Sequence, residues 1–196
     1  GPTASGKSKL AIKLAQILGG EIINADSMQI YKEISILTSK PSFKDTKIIK
    51  HHLYGFNSIK KNFSTGHWLD MVTKQIKKQW HGKKIPIVVG GTGLYFKALT
   101  DGLVKIPDIP VNLRLQIRKL HKKIGQKKFY TQLIKLDPLA KKFVLSTDTQ
   151  RSMRAYEVKK FTNKSLHKFR KKTKSNFKKT VFKKFFINIP KEILHK

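Results

Sequence analysis

The first eight residues constrain the fold more than any other part of the chain. They read Gly1-Pro2-Thr3-Ala4-Ser5-Gly6-Lys7-Ser8, which matches the pattern G-x-x-x-x-G-K-[ST] at every fixed position. In such a loop, backbone N–H groups and the N-terminus of the following helix surround a phosphate or diphosphate. The lysine adds positive charge, and the serine hydroxyl can bind Mg²⁺. The pattern predicts a phosphate-binding loop (P-loop); the alternative is a chance glycine-rich turn.

The residues after the P-loop predict an α/β fold, because helix and strand patterns alternate along the chain. The run over 85–89 is the clearest buried parallel strand, since it is almost wholly apolar and β-branched. The predicted elements are a helix from Leu10 to Leu18 ended by Gly19-Gly20, a strand over 21–25, a possible strand over 53–56, a helix over 67–80 capped by Ser64 or Thr65, the strand over 85–89, and a helix through Leu99.

The second half of the chain has a different pattern. From Val111 to about residue 172 it predicts helices only, one beginning at Asp137-Pro138 and another capped by Thr147 or Asp148. Residues 181–189 return to a strand pattern, and 191–196 resemble the start of a helix.

These patterns predict three parts. They are a P-loop α/β core over 1–110, an all-helical insertion over 111–175, and a return to the core over 176–196. Because a strand normally delivers the chain into a P-loop and none precedes Gly1, we expect a fragment of a longer protein.

Asp26 is the acidic residue placed best for chemistry beside the P-loop, since it directly follows the predicted strand over 21–25. A P-loop ATPase normally ends a buried strand in an Asp that holds the metal, but the strand over 85–89 ends in Gly90-Gly91-Thr92. In small-molecule kinases, an acid at the place of Asp26 contacts the acceptor. The pattern favours a group transferase acting beside a bound diphosphate; a helix cap or turn is the alternative role of Asp26.

The charge points to a polyanionic partner. Lys and Arg number 43 against 11 Asp and Glu, a net charge of +32, and nucleic acid is the first candidate. Codon bias of an AT-rich genome is the alternative source of the lysine excess. The absence of cysteine excludes disulfides and Cys-based zinc sites and suits a cytoplasmic protein. No apolar run is long enough to predict a membrane-spanning helix.

Together these segments resemble the tRNA dimethylallyltransferases, also called tRNA isopentenyltransferases. The matching text is the P-loop, Asp26-Ser27-Met28-Gln29-Ile30-Tyr31-Lys32, His51-His52-Leu53, Val89-Gly90-Gly91-Thr92-Gly93-Leu94-Tyr95 and Asp148-Thr149-Gln150-Arg151. The sequence departs from the family at Leu37-Thr38-Ser39-Lys40-Pro41, where the family usually reads Gly-Thr-Ala-Lys-Pro, and the family's C-terminal third is absent. The resemblance implies a P-loop nucleoside-triphosphatase-like parallel sheet with an all-helical insertion domain.

The resemblance also implies a reaction. The dimethylallyl group of dimethylallyl diphosphate moves to the exocyclic amine of the adenine 3′-adjacent to the tRNA anticodon, and diphosphate leaves. The P-loop would hold the diphosphate with Mg²⁺, for which Ser8 is a possible ligand. Asp26 would act as general base on the amine, and Thr92 would donate a hydrogen bond nearby. A helix N-cap is the alternative role of Thr92.

By the same analogy, two clusters of residues contact the tRNA anticodon stem-loop in a monomeric enzyme. They are Asp26, Ser27, Met28, Gln29 and Thr92 in the core, and Arg114, Gln150, Arg151, Ser152, Met153 and Arg154 in the insertion. Arg151 and Arg154 lie three apart on one helix face, as arginines that contact phosphates or bases would. Solvated surface charge is the alternative role of each arginine.

Two other functions fit part of the same pattern. A P-loop small-molecule or nucleoside kinase shares the loop and the strand-end Asp26, but it would use ATP as donor and would not need a basic helical insertion. A truncated remnant that only binds RNA is the non-enzymatic alternative. A relative that alkylates free adenine nucleotides is disfavoured by the basic charge.

Overall fold

A computed structural model describes residues 1, 4–170, 175–177, 182–190 and 192. The chain divides into two compact units, of which the first comprises Gly1–Gly102 and Ser175–Lys196 and the second Leu103–Lys174. None of the helices in the described residues is long and apolar enough to cross a membrane.

The first unit is an α/β layer structure. Its elements are α1 (Lys7–Leu18), β1 (Gly20–Asn24), α2 (Phe43–Ile48), β2 (His51–His52), α3 (Thr65–His81), β3 (Ile85–Val89) and α4 (Gly93–Asp101). In the described part of the chain, the strands form one parallel sheet in the order β2-β1-β3, with Ile22 opposite both His51 and Ile87. The predicted strands over 21–25 and 85–89 are therefore confirmed to within one residue, but the predicted burial of the second is wrong, because Ile85 is exposed and residues 86–89 are only half-buried.

The central strand explains the position of the core. Ile22 and Ile23 on β1 are buried, as expected for a strand with a neighbour on each side and helices on its faces. Ala11 and Ala15 of α1 pack against Ile22, because small side chains let that helix approach the sheet. The helix ends at Gly19, whose φ of 62° is the left-handed conformation of a C-cap, as its sequence predicts.

The longest helix of this unit, α3, begins as predicted. The Ser64 side chain accepts a hydrogen bond from the His67 N–H at 3.2 Å, which makes Ser64 the N-cap. Trp68, Val72 and Ile76 are buried along one face of the helix, as the apolar pattern indicates.

The structure corrects two strand predictions. Residues 53–56 form no strand, because Leu53 and Gly55 adopt left-handed conformations with φ of 62° and 54° that turn the chain immediately after β2. Residues 182–190 pair with no described strand, and Phe185 and Phe186 are exposed. Their apolar and aromatic content explains the prediction, but they form no ladder with the part of the chain that the structure describes. Residues 181, 191 and 193–196 lie outside the described residues.

The second unit is helical. It contains α5 (Val111–Leu136), a 3-10 helix (Pro138–Lys142), α6 (Thr149–Thr162) and α7 (Leu166–Arg170), and α5 is interrupted at Gly125. Asp148 caps α6 by accepting the Arg151 N–H at 2.9 Å, as one of the two predicted caps. Pro138 opens the 3-10 helix, but the buried side chain of Asp137 makes no cap bond to the described residues. The core of this second unit includes Leu133, Ala140, Val144 and Ala155.

Candidate active site

The P-loop leads directly into α1, as the motif predicts. Ala4 and Gly6 are left-handed, with φ of 62° and 75°, and Gly6 is the N-cap residue of the helix. Left-handed residues in such turns form backbone concavities that bind anions. The Lys7 Nζ lies 3.5 Å from the Oγ of the buried Ser5. Among the predicted phosphate-binding residues, the structure describes Gly1, Ala4, Ser5, Gly6, Lys7 and Ser8, whereas Pro2 and Thr3 lie outside the described residues.

Lys7 and Asp26 lie within electrostatic reach of each other. Partial burial lowers the pKa of the Lys7 ammonium, and the negative charge of Asp26 opposes that shift. Asp26 lies two residues beyond Asn24, the last residue of β1, and the carboxyl ends of parallel strands are where ligands bind in open α/β sheets. The P-loop and the strand-end acid therefore face one site.

The Asp26 carboxylate is held by the backbone around it. Its Oδ1 accepts the N–H of Met28 at 2.9 Å, which closes a turn. On the other side, a Cβ built on Gly91 would lie 3.4 Å from the Asp26 Oδ2, so this glycine leaves the second oxygen free of side-chain crowding. One carboxylate oxygen thus fixes the turn, while the other is available to a substrate group.

Thr92 lies beside the same turn. Its backbone N–H donates to the Ala25 carbonyl at 3.1 Å, and its Oγ1 accepts the Ser27 N–H at 2.9 Å. A Cβ on Gly90 would come within 2.2 Å of the Ala25 carbonyl, so only glycine permits this approach of the two loops. Thr92 is also the N-cap residue of α4, although its side chain makes no cap bond within the described residues. The hydroxyl serves the Asp26 loop instead.

Two tyrosines, Tyr54 and Tyr95, lie within electrostatic reach of Asp26, and the sequence alone does not identify them as site residues. Burial, followed by the charges of Tyr31 and Asp26, raises the pKa of Tyr95 to about 12. Burial and the Asp26 charge also raise the pKa of Tyr54. The Tyr95 ring stacks on Trp68 with ring centroids 4.2 Å apart. Trp68 and Tyr95 are both buried, so this stack belongs to the core next to the site.

Gln29 and Met28 differ in what their side chains do. The Gln29 amide donates to the carbonyls of Thr38 and Ser39 at 2.7 and 3.0 Å, so it braces the loop that follows it. Met28 is 52% exposed and is available for contact with a partner. The roles of Ser27, Met28 and Gln29 in tRNA binding remain predictions. Gln29 would have to contact tRNA while its amide nitrogen stays bonded to the loop.

The Ser8 hydroxyl beside the P-loop suits Mg²⁺. It is exposed and is a hard oxygen ligand, which Mg²⁺ prefers. No group of three or more His, Cys, Asp or Glu residues that could hold a metal occurs among the described residues. Because Mg²⁺ commonly binds through one or two protein oxygens together with substrate phosphates, this hydroxyl fits a metal that would arrive with a phosphate-bearing ligand.

The predicted RNA-binding residues of α6 are exposed or half-buried, except for one that is buried. Arg151 is 67% exposed at its side chain and pairs with Asp148 at 2.8 Å, and Arg154 pairs with Glu157 at 3.3 Å. Gln150 is exposed and Met153 half-buried. Ser152 is fully buried, and its hydroxyl accepts a bond from the Gln126 amide. Ser152 therefore packs inside the helical unit, and its contact with RNA stays a prediction.

Arg114, the remaining predicted contact, lies in the first turn of α5. It is half-buried, and its Nε is a buried donor without a hydrogen-bond partner among the described residues. A buried guanidinium donor of this kind favours an acceptor that a ligand supplies.

Comparisons with known proteins point in one direction. The family model described as IPP transferase matches residues 29–196. A tRNA dimethylallyltransferase of Pelagibacter ubique (strain HTCC1062) is 54% identical over 99% of this chain and 62% of its own length. One from Rickettsia massiliae (strain Mtu5) is 46% identical over 100% of this chain and 54% of its own length. The chain thus spans about three-fifths of the curated relatives it matches.

Solved structures agree in fold. A eukaryotic dimethylallyltransferase that acts on tRNA superposes with a TM-score of 0.75 and 30% identity over 89% of this chain and 43% of that chain. The tRNA isopentenylpyrophosphate transferase of Bacillus halodurans gives a TM-score of 0.53 and 32% identity over 85% of this chain and 55% of that chain. The predicted P-loop nucleoside-triphosphatase-like fold is thereby confirmed.

Proposed function

The chain belongs to the IPP transferase family, and from this premise we propose that it transfers a dimethylallyl group from dimethylallyl diphosphate to the exocyclic amine of the adenine 3′-adjacent to a tRNA anticodon. The observation that carries the proposal is the convergence of Lys7, Asp26 and Thr92 at one end of the parallel sheet. The relatives do not favour a kinase or an inactive RNA-binding remnant. We place the reaction in the cytoplasm, where tRNA is modified.

The P-loop and the start of α1 hold the diphosphate. As the C–O bond to the diphosphate breaks, negative charge develops on the departing oxygen, and backbone N–H groups and the Lys7 ammonium stabilise it. Mg²⁺, bound through Ser8 and the diphosphate, would add Lewis-acid stabilisation of that charge.

Asp26 acts on the acceptor amine. The nitrogen lone pair forms the new C–N bond to the dimethylallyl carbon, and the Asp26 carboxylate accepts the proton that the amine loses. Its Oδ2, beside Gly91, is the oxygen placed for this step, because Oδ1 is occupied by the Met28 N–H. The proton passes afterwards to solvent, and diphosphate leaves with both electrons of the broken bond.

Thr92 contributes by holding the acid's loop and by lining the amine site. The adenine must leave the anticodon-loop stack to reach Asp26, as in other enzymes that modify bases. Tyr54, which is half-buried and within electrostatic reach of Asp26, offers apolar surface to the dimethylallyl group or to the base, whereas Tyr95 and Trp68 are buried in the core.

In the helical unit, the arginines of α6 bind the tRNA backbone or bases. Arg151 is the better placed, since its guanidinium is mostly exposed and its partner Asp148 occupies only one edge of it. The high positive charge of the chain supports association with RNA.

The test is a transfer assay with dimethylallyl diphosphate and an anticodon stem-loop, read by mass spectrometry of the RNA. Because the chain spans 62% of the Pelagibacter relative, it is assayed alone and as a chimera completed with the rest of that relative. We expect one added dimethylallyl group on the adenine 3′ of the anticodon in the chimera at least. Transfer of phosphate from ATP, or no transfer in either form, would overturn the proposal.

A further inference from the structure

We propose that Asn24 is a positioning residue that sets the orientation of Asp26 in the candidate active site. The proposal rests on the proposed function for its catalytic consequence, but the geometry behind it does not. Asn24 is the last residue of β1 and is 0% exposed.

The Asn24 side chain forms hydrogen bonds with both backbone polar groups of Asp26. Its Oδ1 accepts the Asp26 N–H at 2.8 Å, and its Nδ2 donates to the Asp26 carbonyl at 2.9 Å. One amide group therefore holds the donor and the acceptor that flank the Asp26 Cα. Fixing both fixes the backbone dihedrals of residue 26, and with them the direction in which its carboxylate leaves the chain.

The same amide reaches a second loop. Its Nδ2 also donates to the Leu53 carbonyl at 3.0 Å, and Leu53 has the left-handed φ of 62° that turns the chain after β2. The next residue is Tyr54, a half-buried ring on which the Asp26 charge acts. Asn24 thus joins the turn that carries Asp26 to the turn that carries one wall of the site.

Asn24 is itself firmly fixed. The Trp68 indole Nε1 donates to the Asn24 carbonyl at 2.9 Å, and Trp68 stacks on Tyr95. Burying an amide inside a sheet costs free energy unless its hydrogen bonds are made, and an apolar residue would fill a strand position without that cost. Within the described residues, the Asn24 side chain makes three hydrogen bonds, all to the loops around the site, so the amide serves those loops rather than the strand ladder.

Loss of these hydrogen bonds should slow the chemical step. A base must lie within hydrogen-bond reach of the proton it accepts, and a misplacement of about 1 Å can cost about a hundredfold in rate. Diphosphate binding depends on the P-loop, which is a different segment. We therefore expect the single-turnover rate to fall while the affinity for dimethylallyl diphosphate stays the same.

The experiment compares Asn24→Ala, Asn24→Ser and Asn24→Asp with the unchanged chain in whichever form transfers the group. Serine can restore part of the hydrogen bonding, whereas the aspartate retains the shape but loses both donated bonds. We expect rates reduced about tenfold to a hundredfold in the Ala and Asp variants, with partial rescue by Ser. Thr73→Val is the matched control, because it removes a buried hydroxyl that accepts a hydrogen bond from the Asn176 amide and contacts neither Asn24 nor Asp26 through any hydrogen bond of the described residues. This substitution should leave the rate unchanged.

Hydrogen exchange at the Asp26 amide tests the positioning without any assay of activity. The exchange should accelerate at least tenfold in Asn24→Ala and less in Asn24→Ser, and should be unchanged in Thr73→Val. If the Ala variant does not fold, the Ser variant gives both readings. Unaltered exchange, or an unaltered transfer rate in a variant whose exchange is faster, overturns the proposal. If the unchanged chain transfers nothing in either form, the proposed function fails, and the exchange data alone decide the positioning.

Discussion

Thr92 and Ser27 are joined by two hydrogen bonds although 65 positions separate them in the sequence. The Ser27 N–H donates to the Thr92 Oγ1 at 2.9 Å, and that hydroxyl donates to the Ser27 Oγ at 3.2 Å. Ser27 follows Asp26 directly, so the hydroxyl of the loop after β3 holds the loop that carries the acid. The arrangement gives Thr92 a positioning role whether or not it also touches substrate.

Removal of the Thr92 hydroxyl should slow transfer without weakening diphosphate binding. In Thr92→Val, the Ser27 N–H loses its acceptor while the side-chain shape is nearly kept, and we expect the single-turnover rate to fall about tenfold to a hundredfold. Thr92→Ser retains the hydroxyl and should keep most of the rate. Equal rates for the Val and Ser variants would show that the hydroxyl is not needed.

Lys7→Ala should lower both turnover and diphosphate affinity. The ammonium supplies charge to a leaving group that becomes more negative as the bond breaks, so the loss should be larger in rate than in affinity. Binding is measured by competition between inorganic diphosphate and dimethylallyl diphosphate.

The matched control for Lys7 is Lys9→Ala, an exposed lysine on the same helix. It changes the net charge by the same amount and should leave both quantities near their original values. Equal effects of the two substitutions would mean that net charge, rather than the P-loop lysine, accounts for diphosphate binding.

The sequence predicted the elements whose signals are local. The P-loop motif fixes the start of α1, apolar runs mark β1 and β3, and hydroxyl or carboxylate caps mark α3 and α6. Each of these depends on the residues of the segment itself. For this reason the sequence also predicted that Lys7, Asp26 and Thr92 lie at one end of the sheet, because the motif places Lys7 there and the other two residues follow the carboxyl ends of strands.

The parts that the sequence missed depend on contacts between distant segments. Leu53 to Phe56 has strand-like composition, but the bond from Asn24 to the Leu53 carbonyl accompanies a turn there instead. The signal that could have found Asn24 is its polarity inside an apolar run, because a buried amide must find partners. The burial of Ser152 was not predicted, because a buried and an exposed serine are identical in the motif.

Stability should fall at alkaline pH, and Tyr95 should account for part of the fall. Burial first, then Tyr31 and Asp26, raises the pKa of Tyr95 to about 12. Above the ordinary tyrosine pKa of about 10, the unfolded chain loses this proton while the folded chain retains it. The folded state then binds more protons, so the free energy of unfolding decreases as pH rises through that window.

Tyr95→Phe tests this relationship, because phenylalanine has no proton to lose. We expect the urea midpoint of the variant to decline less steeply between about pH 10 and 12. Some decline should remain, because the pKa of Tyr54 is also raised by burial and by Asp26. Curves that run parallel for the two proteins would exclude Tyr95 as a source of the pH dependence.

The arginines of α6 should determine tRNA affinity. Arg151→Ala should weaken binding of an anticodon stem-loop and reduce the slope of log affinity against log salt by about one for a lost phosphate contact. The folded stability should change little, because an exposed ion pair such as Arg151 with Asp148 contributes weakly. Affinity for dimethylallyl diphosphate should not change.

Arg154→Ala should show a second effect besides weaker tRNA binding. Its partner Glu157 is buried, so removal of the guanidinium leaves a carboxylate without its charge partner and lowers stability. Arg118→Ala, an exposed arginine on α5, is the control for net charge. If Arg118→Ala reduces affinity as much as the α6 variants, general charge rather than this helix face binds RNA.

Asp26→Asn is the sharpest test of the proposed chemistry. The amide keeps the size of the side chain and an oxygen that can accept the Met28 N–H, but it cannot accept a proton from the adenine amine. Because Asn24 and Thr92 hold the surrounding loop through its backbone, the turn should persist in the variant. Dimethylallyl diphosphate and the anticodon stem-loop should therefore bind with nearly unchanged affinity. We expect single-turnover transfer to fall by about a hundredfold or more, the usual loss when general-base assistance is removed. A rate close to that of the unchanged chain, with both substrates bound, would show that Asp26 only orients the amine and that the proton leaves by another route.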